Sequence, residues 1–255
     1  MRPLILAGTL YAAWTAATYL LEGRPRTLLS PEATGLRIVY TLVANLLLGL
    51  GGAALLLGWL GAAHRVAPSA TGFQPRRRAG AMILVGLVAG AGVYAVQAPA
   101  WRAPAVLVNG FLQVLPVSAA EVVVCWSATS AAIGAAWPSL GAGRSRAIGL
   151  VPGSLLFGVY HVAHSPPFNT LAMIGVLTVV GLLTGLVFLV TADVHAAIAF
   201  HNFLALRGVL DALDASGRLE PYHAVQGHLV VMAVVTLTAL ALVHAVGRRS
   251  SREPG

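Results

Sequence analysis

The chain has 255 residues, of which 58% are hydrophobic and only 9% are charged, whereas about a quarter of the residues in a soluble domain are charged. This composition excludes an ordinary soluble domain and predicts an all-α membrane protein, a polytopic bundle of about eight transmembrane helices. All sixteen basic residues are arginines, against eight acidic residues, so the formal net charge is +8. Because the arginines cluster in short gaps between apolar segments, they indicate membrane topology and not nucleic-acid binding.

Eight apolar runs, separated by Arg, Pro and Gly residues, predict eight spans of the lipid bilayer. In chain order the predicted spans are 3–21, 36–62, 80–98, 104–137, 147–164, 168–190, 192–210 and 226–246. The first run follows Arg2 but is too long for the apolar part of a signal peptide, so we expect a retained span.

Two of these runs predict irregular geometry. The run 104–137 is longer than a bilayer requires, so we expect it to tilt or to contain a break, with Pro116 as the place for a kink. The gap around Thr191 to Asp193 is very short. The sixth and seventh helices therefore form either a tight hairpin or one continuous bent element.

The arginines also predict the orientation of the chain. With eight spans, both termini lie on one side of the membrane. That side would hold ten arginines, namely Arg2, Arg65, Arg76, Arg77, Arg78, Arg144, Arg146, Arg248, Arg249 and Arg252. The opposite side would hold six, namely Arg24, Arg26, Arg37, Arg102, Arg207 and Arg218. An excess of arginine marks the cytoplasmic side, which predicts cytoplasmic termini in the cell membrane.

Few ionisable side chains lie inside the spans, where each costs about 2.5 to 3.5 kcal/mol on insertion scales. Among the acidic residues only Glu121 lies well inside an apolar run. Four histidines also lie in or near the ends of runs: His161 and His164 in the fifth, His195 and His201 in the seventh. A carboxylate beside imidazoles is an arrangement that general-base catalysis uses to activate water. For any single histidine, a structural hydrogen bond to a carbonyl of a neighbouring helix is the alternative.

The stretch FGVYHVAH, residues 157–164, places several of these groups together. Phe157 and His161 are four residues apart, so they share one face of a helix. His161 and His164 are three apart, so both can face one cavity. In the seventh run, by contrast, His201 points about 100° away from its neighbour Asn202.

The order of these residues resembles the CPBP family of intramembrane proteases, which includes the type II CAAX prenyl endopeptidases and relatives tied to bacteriocin self-immunity. The family pattern is EExxxR, then FxxxH, then HxxxN. The second motif is present as Phe157 to His161. The run GLLTGLVFLVTADVHAAIAFHN resembles the family's glycine-rich helix and its third motif, with His201 as the motif histidine. The resemblance covers about residues 105–210.

The first and third motifs depart from the family pattern. Val122 follows Glu121 and Ala120 precedes it, so the glutamate pair is missing. If Glu121 is the first glutamate of the motif, Trp126 stands at the arginine position, and if it is the second, Cys125 stands there. Four residues after His201, Ala205 stands where the family has asparagine. Asn202 is the amide nearest to that position, and it lies on a different helix face.

The resemblance implies a glutamate-dependent endopeptidase that hydrolyses a peptide bond of a membrane-embedded or lipidated substrate, such as a CAAX-type protein. Glu121 and His161 would activate a water molecule. His201, with Asn202 beside it, would donate hydrogen bonds to the tetrahedral oxyanion. Because the arginine is missing, Glu121 would depend on further neighbours. The supporting residues expected around it are Phe157, His164 and His195.

The same resemblance divides the chain into three parts. Residues 1–103 form N-terminal transmembrane helices, residues 104–210 form the protease-like core, and residues 211–255 form the last helix and a basic cytoplasmic tail. The expected partners are the substrate and the lipid bilayer, with no nucleic acid and no required cofactor.

Several alternatives remain open at this point. The lost arginine and asparagine fit a catalytically inactive relative that acts as a binding or immunity factor. Zinc is a second alternative, because imidazoles and a carboxylate are zinc ligands, and its ligands would come from Glu121, His161, His164 and His201. A transporter or proton relay would use the same groups. A thiol protease on Cys125 is the least favoured, because a lone buried cysteine is usually inert.

Overall fold

The computed structural model describes residues 1–97 and 102–249. Within these ranges the chain forms helices and no β-strand, and eight helices are long and apolar enough to cross a membrane. We number them α1 (Arg2–Gly23), α2 (Thr34–His64), α3 (Arg76–Val96), α4 (Pro104–Ala136), α5 (Gly141–Tyr160), α6 (Leu171–Thr191), α7 (Val194–Ala215) and α8 (Gly227–Arg249). The prediction of an all-α polytopic membrane bundle is confirmed, and the protein is an integral membrane protein.

Short helical segments complete the fold. A one-turn helix, Pro68–Thr71, precedes α3, and a 3₁₀ turn of three residues, His161–Ala163, follows α5 directly. The other 3₁₀ turns within the described ranges are Thr27–Leu29, Pro138–Leu140 and Glu220–His223.

Helix α4 is the central element of the bundle. Buried residues make up 78% of its most apolar 18-residue window, against 22% for α6. The helix contains Pro116, the expected place for a kink, without a break there, and it widens into π-helical turns at Val123–Ala128. Such turns are rare and are frequent at functional sites. In α4 they begin two residues after Glu121.

The link between α6 and α7 consists of two residues. Ala192 has a φ of 53°, in the left-handed region, and so ends α6. Asp193 is extended, and its Oδ1 accepts hydrogen bonds from the backbone N–H groups of His195 and Ala196 at 2.9 and 3.0 Å. This side chain caps the first turn of α7. The two helices are therefore separate elements, and one continuous bent helix is ruled out.

Close helix packing depends on small residues. Gly86 of α3 lies against the backbone of Ala196 in α7, so that a Cβ atom at position 86 would collide with it. On α6, Gly181 faces Phe157 and Gly185 faces Trp126 in the same way. These glycines let α3 approach α7, and let α6 approach α5 and α4.

The helix ends differ from the predicted spans where charged residues lie. Helix α5 begins at Gly141 and so contains Arg144 and Arg146, which the predicted span 147–164 left outside. Long arginine side chains can extend along a helix end to reach water, so their presence does not end a helix. The predicted span 80–98 ends at Ala98, which lies outside the described residues.

Helix α7 also runs further than predicted, to Ala215 instead of residue 210. Its last turns carry two aspartates that are paired with arginines. Arg207 Nε lies 2.6 Å from Asp211, and Arg102 Nη2 lies 3.0 Å from Asp214. The charges therefore fit within the helix, because partners on α7 itself and just before α4 neutralise them.

Candidate active site

Glu121 of α4 lies between two histidines from different elements. Its side chain is buried, and its Oε2 lies 3.0 Å from Nε2 of His201 on α7. Its Oε1 lies 3.7 Å from Nε2 of His161, on the 3₁₀ turn after α5. The structure thus brings together the three side chains that the sequence singled out as the water-activating and oxyanion-binding groups.

The 3₁₀ turn fixes the position of His161. Its Nδ1 lies 2.8 Å from the backbone oxygen of Phe157, one helical turn earlier. The Phe157 ring meets the rings of His161 and His201 edge to face, with centroids 4.7 and 5.0 Å apart. Phe157 is fully buried and therefore acts as a spacer between the two imidazoles.

His201 is held from its other side by α6. Its Nδ1 lies 2.9 Å from Oγ1 of Thr184, a buried residue between Gly181 and Gly185. The ring of Trp126 lies 6.4 Å away. Thr184 lies within the glycine-rich run GLLTG, but no sequence pattern marks it as a site residue. Its part in the site depends on a partner 17 residues away, on the next helix.

His164 lies beside His161, as predicted from their spacing of three residues. Its ring stacks on that of His161, with centroids 4.8 Å apart and planes at 22°, and Tyr160 meets it edge-on. Within the described residues its Nδ1 has no hydrogen-bond partner. Burial, and after it the proximity of His161, holds the pKa of His164 well below its usual value of 6.5. His164 therefore remains a neutral imidazole at neutral pH.

A cavity of about 400 Å³ begins at these side chains. At its inner end it is lined by Glu121, Phe157, His161, His164 and His201. From there it extends between α6 and α7, past apolar and small side chains such as Leu177, Val180 and Gly208. Its outer end reaches Val176, which is 56% exposed, and the charged residues Arg207 and Asp211.

The structure does not bring Asn202 to this cavity. Its Nδ2 donates to the backbone oxygen of Phe111 in α4 at 3.1 Å, so the amide joins two helices. The reason is the rotation of about 100° between consecutive helix positions. Ala205, at the third-motif position, does line the cavity. Asn202 thus has a packing role in place of the expected contact with an oxyanion.

His195 is also placed away from Glu121. It lies on the first turn of α7, about 9 Å along the helix from His201 at 1.5 Å per residue. Its Nδ1 lies 3.4 Å from Asp193, and its Nε2 lies 3.4 Å from Nδ1 of His244 on α8. His195 therefore does not make the expected contact with Glu121, and instead joins the start of α7 to α8 through His244.

A further buried carboxylate, Glu22, was not predicted from the sequence. Glu22, at the end of α1, accepts hydrogen bonds from the backbone N–H of Ser165, at 3.0 Å, and from its hydroxyl group. Ser165 directly follows His164, so Glu22 anchors the segment that carries both site histidines. In the sequence Glu22 stands at the end of an apolar run, where a solvated position was as plausible as a buried one.

The fold and the site define a polytopic membrane protein with a buried Glu–His–His cluster at the end of an apolar cavity. No protein-family model, curated protein or solved structure matches the chain. Within the described ranges, no group of three or more His, Cys, Asp or Glu side chains is arranged to hold a metal ion. Cys125 is fully buried, without exposed surface for a nucleophile.

Proposed function

We propose that the protein is an intramembrane, glutamate-dependent endopeptidase in which Glu121 and His161 activate a water molecule. The observation that carries this proposal is the Glu121 carboxylate held between two imidazoles at the inner end of the cavity. The order of the motifs, which resembles that of the CPBP proteases, supports the same chemistry.

The protonation of His161 supports a water-binding position. A backbone oxygen only accepts hydrogen bonds, so the contact with Phe157 requires a proton on Nδ1 of His161. Its neutral Nε2 is then an acceptor that faces Oε1 of Glu121, also an acceptor, at 3.7 Å. This distance is too long for a direct hydrogen bond. A water molecule near both atoms would donate one proton to each.

This water is the nucleophile of the proposed reaction. Its oxygen bonds to the scissile carbonyl carbon, one proton passes to the Glu121–His161 pair, and the carbonyl electron pair becomes the oxyanion. A proton on Nε2 of His201 stabilises that oxyanion. When the tetrahedral intermediate collapses, the C–N bond breaks and the leaving amine takes up the proton that the pair had accepted.

The cavity supports a substrate that arrives from the membrane. Its walls between α6 and α7 are mostly apolar, and its outer end includes Val176, which is exposed on the lipid-facing helix α6. An apolar polypeptide segment or a lipid-modified peptide would lose little hydration on entering such a cavity. We therefore propose a membrane-embedded or lipidated peptide, including the CAAX type, as the substrate.

A second candidate function rests on a specific observation. Asn202 is turned away towards Phe111, and the side chain of Ala205 on the cavity wall has no hydrogen-bond donor. The oxyanion would then depend on His201 alone, and loss of one such donor typically costs about 100- to 1,000-fold in rate. A catalytically inactive protein that binds a membrane peptide, for example in immunity, is therefore the alternative.

The distribution of arginines supports placing both termini on the cytoplasmic side of the cell membrane. Five arginines lie at the starts of α3 and α5, on the side of the bundle that holds both termini, namely Arg76, Arg77, Arg78, Arg144 and Arg146. Arg252 lies outside the described residues. The acidic residues near this side include Asp193, which is fully buried, so the exposed charge there is strongly positive.

The experiment is a cleavage assay with purified protein and a library of quenched membrane peptides. Glu121→Gln should lower the rate at least about 100-fold, because a general base contributes about that much, while expression and Tm remain as in the wild type. Glu32→Gln, at a side chain that is 72% exposed, is the matched control and should cleave normally.

Each outcome separates the candidates. Cleavage by Glu121→Gln at the wild-type rate would refute the endopeptidase proposal. A wild-type protein that binds library peptides without cleaving them would support the inactive alternative. Activity of chelator-washed protein in which metal analysis finds no zinc would argue against the zinc alternative.

A further inference from the structure

Thr184 presents two contacts that involve one hydroxyl group. Its Oγ1 lies 3.1 Å from the backbone oxygen of Val180, one helical turn earlier, and 2.9 Å from Nδ1 of His201. Thr184 is fully buried, so water does not compete for either contact. A threonine hydroxyl has a single proton, which it can donate to only one partner at a time.

The two contacts together determine which ring nitrogen of His201 carries a proton. The backbone oxygen of Val180 has no proton to offer, so the Thr184 hydroxyl must donate to it. Oγ1 of Thr184 then acts as an acceptor towards His201. Both contacts are hydrogen bonds only when Nδ1 of His201 is protonated and donates to Thr184.

This tautomer has a consequence on the other side of the ring. A neutral His201 protonated on Nδ1 has a bare Nε2, and this atom lies only 3.0 Å from Oε2 of Glu121. Two acceptors do not form a hydrogen bond, so a proton must lie between them. The pair is either imidazolium with carboxylate or imidazole with carboxylic acid. Nε2 of His161 and Oε1 of Glu121 are also two acceptors, but at 3.7 Å they are too far apart to share a proton.

We propose that Thr184 is a positioning residue that fixes the tautomer of His201 and thereby keeps one shared proton on the Glu121–His201 pair. This inference deepens the proposed endopeptidase function and rests on it for its catalytic meaning. During water attack, the shared proton resides on Nε2 of His201 and is donated as a hydrogen bond to the oxyanion. It returns to the shared position when the intermediate collapses, so no proton is gained or lost by the pair.

The packing of α6 serves this contact. Gly181 and Gly185 flank Thr184 and lie directly against Phe157 and Trp126, which border the same site. A side chain at either position would move α6 outward and lengthen the bond between Thr184 and His201. The glycine-rich run thus places the hydroxyl group of Thr184 within hydrogen-bonding distance of His201.

The substitution Thr184→Val removes the acceptor and keeps the side-chain shape. A buried N–H without a partner is unfavourable, so His201 should change to the tautomer protonated on Nε2, which donates to an ionised Glu121. The pair would then hold one proton fewer than in the wild type. Thr184→Ser retains the hydroxyl and should restore the wild-type state.

The primary measurement does not depend on cleavage. In protein with ¹⁵N-labelled histidine, the His201 imidazole signals, assigned by their loss in His201→Gln, report which nitrogen is protonated. We expect Nδ1 to be protonated in the wild type and in Thr184→Ser, and bare in Thr184→Val. Thr236→Val is the matched control, because Thr236 is equally buried and its hydroxyl bonds the Met232 carbonyl one turn earlier.

Cleavage provides the second measurement. Thr184→Val should lower kcat by roughly 10- to 100-fold, by analogy with loss of the partner that orients a metal-binding histidine, with KM little changed. Thr184→Ser and Thr236→Val should remain near the wild-type rate. An unchanged His201 tautomer in Thr184→Val would overturn the inference even if cleavage fell. A changed tautomer without any cleavage by the wild type would keep the proton assignment and reject the endopeptidase function.

Discussion

Glu121 is bound differently by its two histidines, and this difference assigns them different tasks. His201 is within hydrogen-bonding distance of the carboxylate, whereas His161 is not. A proton is therefore stored on one side of the carboxylate, and there is room for a water molecule on the other. In the proposed mechanism, the separation of acid and base roles follows from the two distances to the carboxylate, 3.0 Å for His201 and 3.7 Å for His161.

His164 gives the first prediction at the residue scale. Its pKa is lowered by burial and by His161, so the folded state keeps it neutral below pH 6.5, while the unfolded chain takes up a proton there. Stability should therefore fall as the pH decreases below about 6.5, by at most about 1.4 kcal/mol per pH unit for this group. Measuring Tm between about pH 7 and pH 5 checks this.

The control for this prediction is a comparison of slopes. His164→Gln should flatten the dependence of Tm on pH, whereas His223→Gln, at an exposed histidine, should leave it as in the wild type. Equal slopes in the wild type and in His164→Gln would show that the His164 imidazole is protonated equally in the folded and unfolded states.

The site could be predicted from the sequence only where a residue is unusual in its own surroundings. Glu121, His161 and His201 are ionisable groups in apolar runs, so they are conspicuous without any structure. Thr184 and Glu22 are not, because a threonine is common in membrane helices and a glutamate is common at helix ends. Their roles come from partners 17 and 143 residues away, which no local pattern reveals.

At the scale of the elements, the length of the apolar runs was enough to predict all eight helices. Their ends were less predictable, since a charge ends an apolar run but does not end a helix that neutralises it. Asp211 and Asp214 lie inside α7 because Arg102 and Arg207 neutralise them. The π-helical turns after Glu121 left no recognisable signal in the residues that form them.

The contact between α3 and α7 leads to a prediction for these elements. Gly86→Ala would push a Cβ atom into the backbone of Ala196, which cannot move without shifting the whole of α7. We expect a loss of about 1 to 3 kcal/mol in the free energy of unfolding, as for other overpacked sites. Thermal unfolding in detergent measures the change.

Gly92→Ala is the matched control on the same helix. Nothing lies within 4 Å of a Cβ atom added there, so this variant should be as stable as the wild type or slightly more stable. If both variants unfolded at the same temperature, the close approach of α3 and α7 would not depend on Gly86.

For the whole molecule, the proposed orientation is tested by thiol labelling. The single cysteine, Cys125, is fully buried and should not react with a membrane-impermeant maleimide. In intact cells, Glu32→Cys on the far side of the bundle should be labelled. Arg77→Cys, on the arginine-rich side, should react only after the membrane is permeabilised.

The reverse labelling pattern would place the termini outside the cytoplasm and contradict the proposal from the arginine count. Labelling of the wild type would show that Cys125 is reachable, and the experiment would then use a Cys125→Ala background, in which the same two positions decide the orientation.

The central position of α4 has a consequence for how the chain can vary. The helix that carries Glu121 is mostly enclosed by other helices, whereas only 22% of the most apolar window of α6 is buried. Almost every position on α4 therefore has a neighbouring side chain whose shape it must match, while the outer faces of α6 need only remain apolar. Sequence drift during evolution should consequently be slow on α4 and fast on the lipid-facing surface.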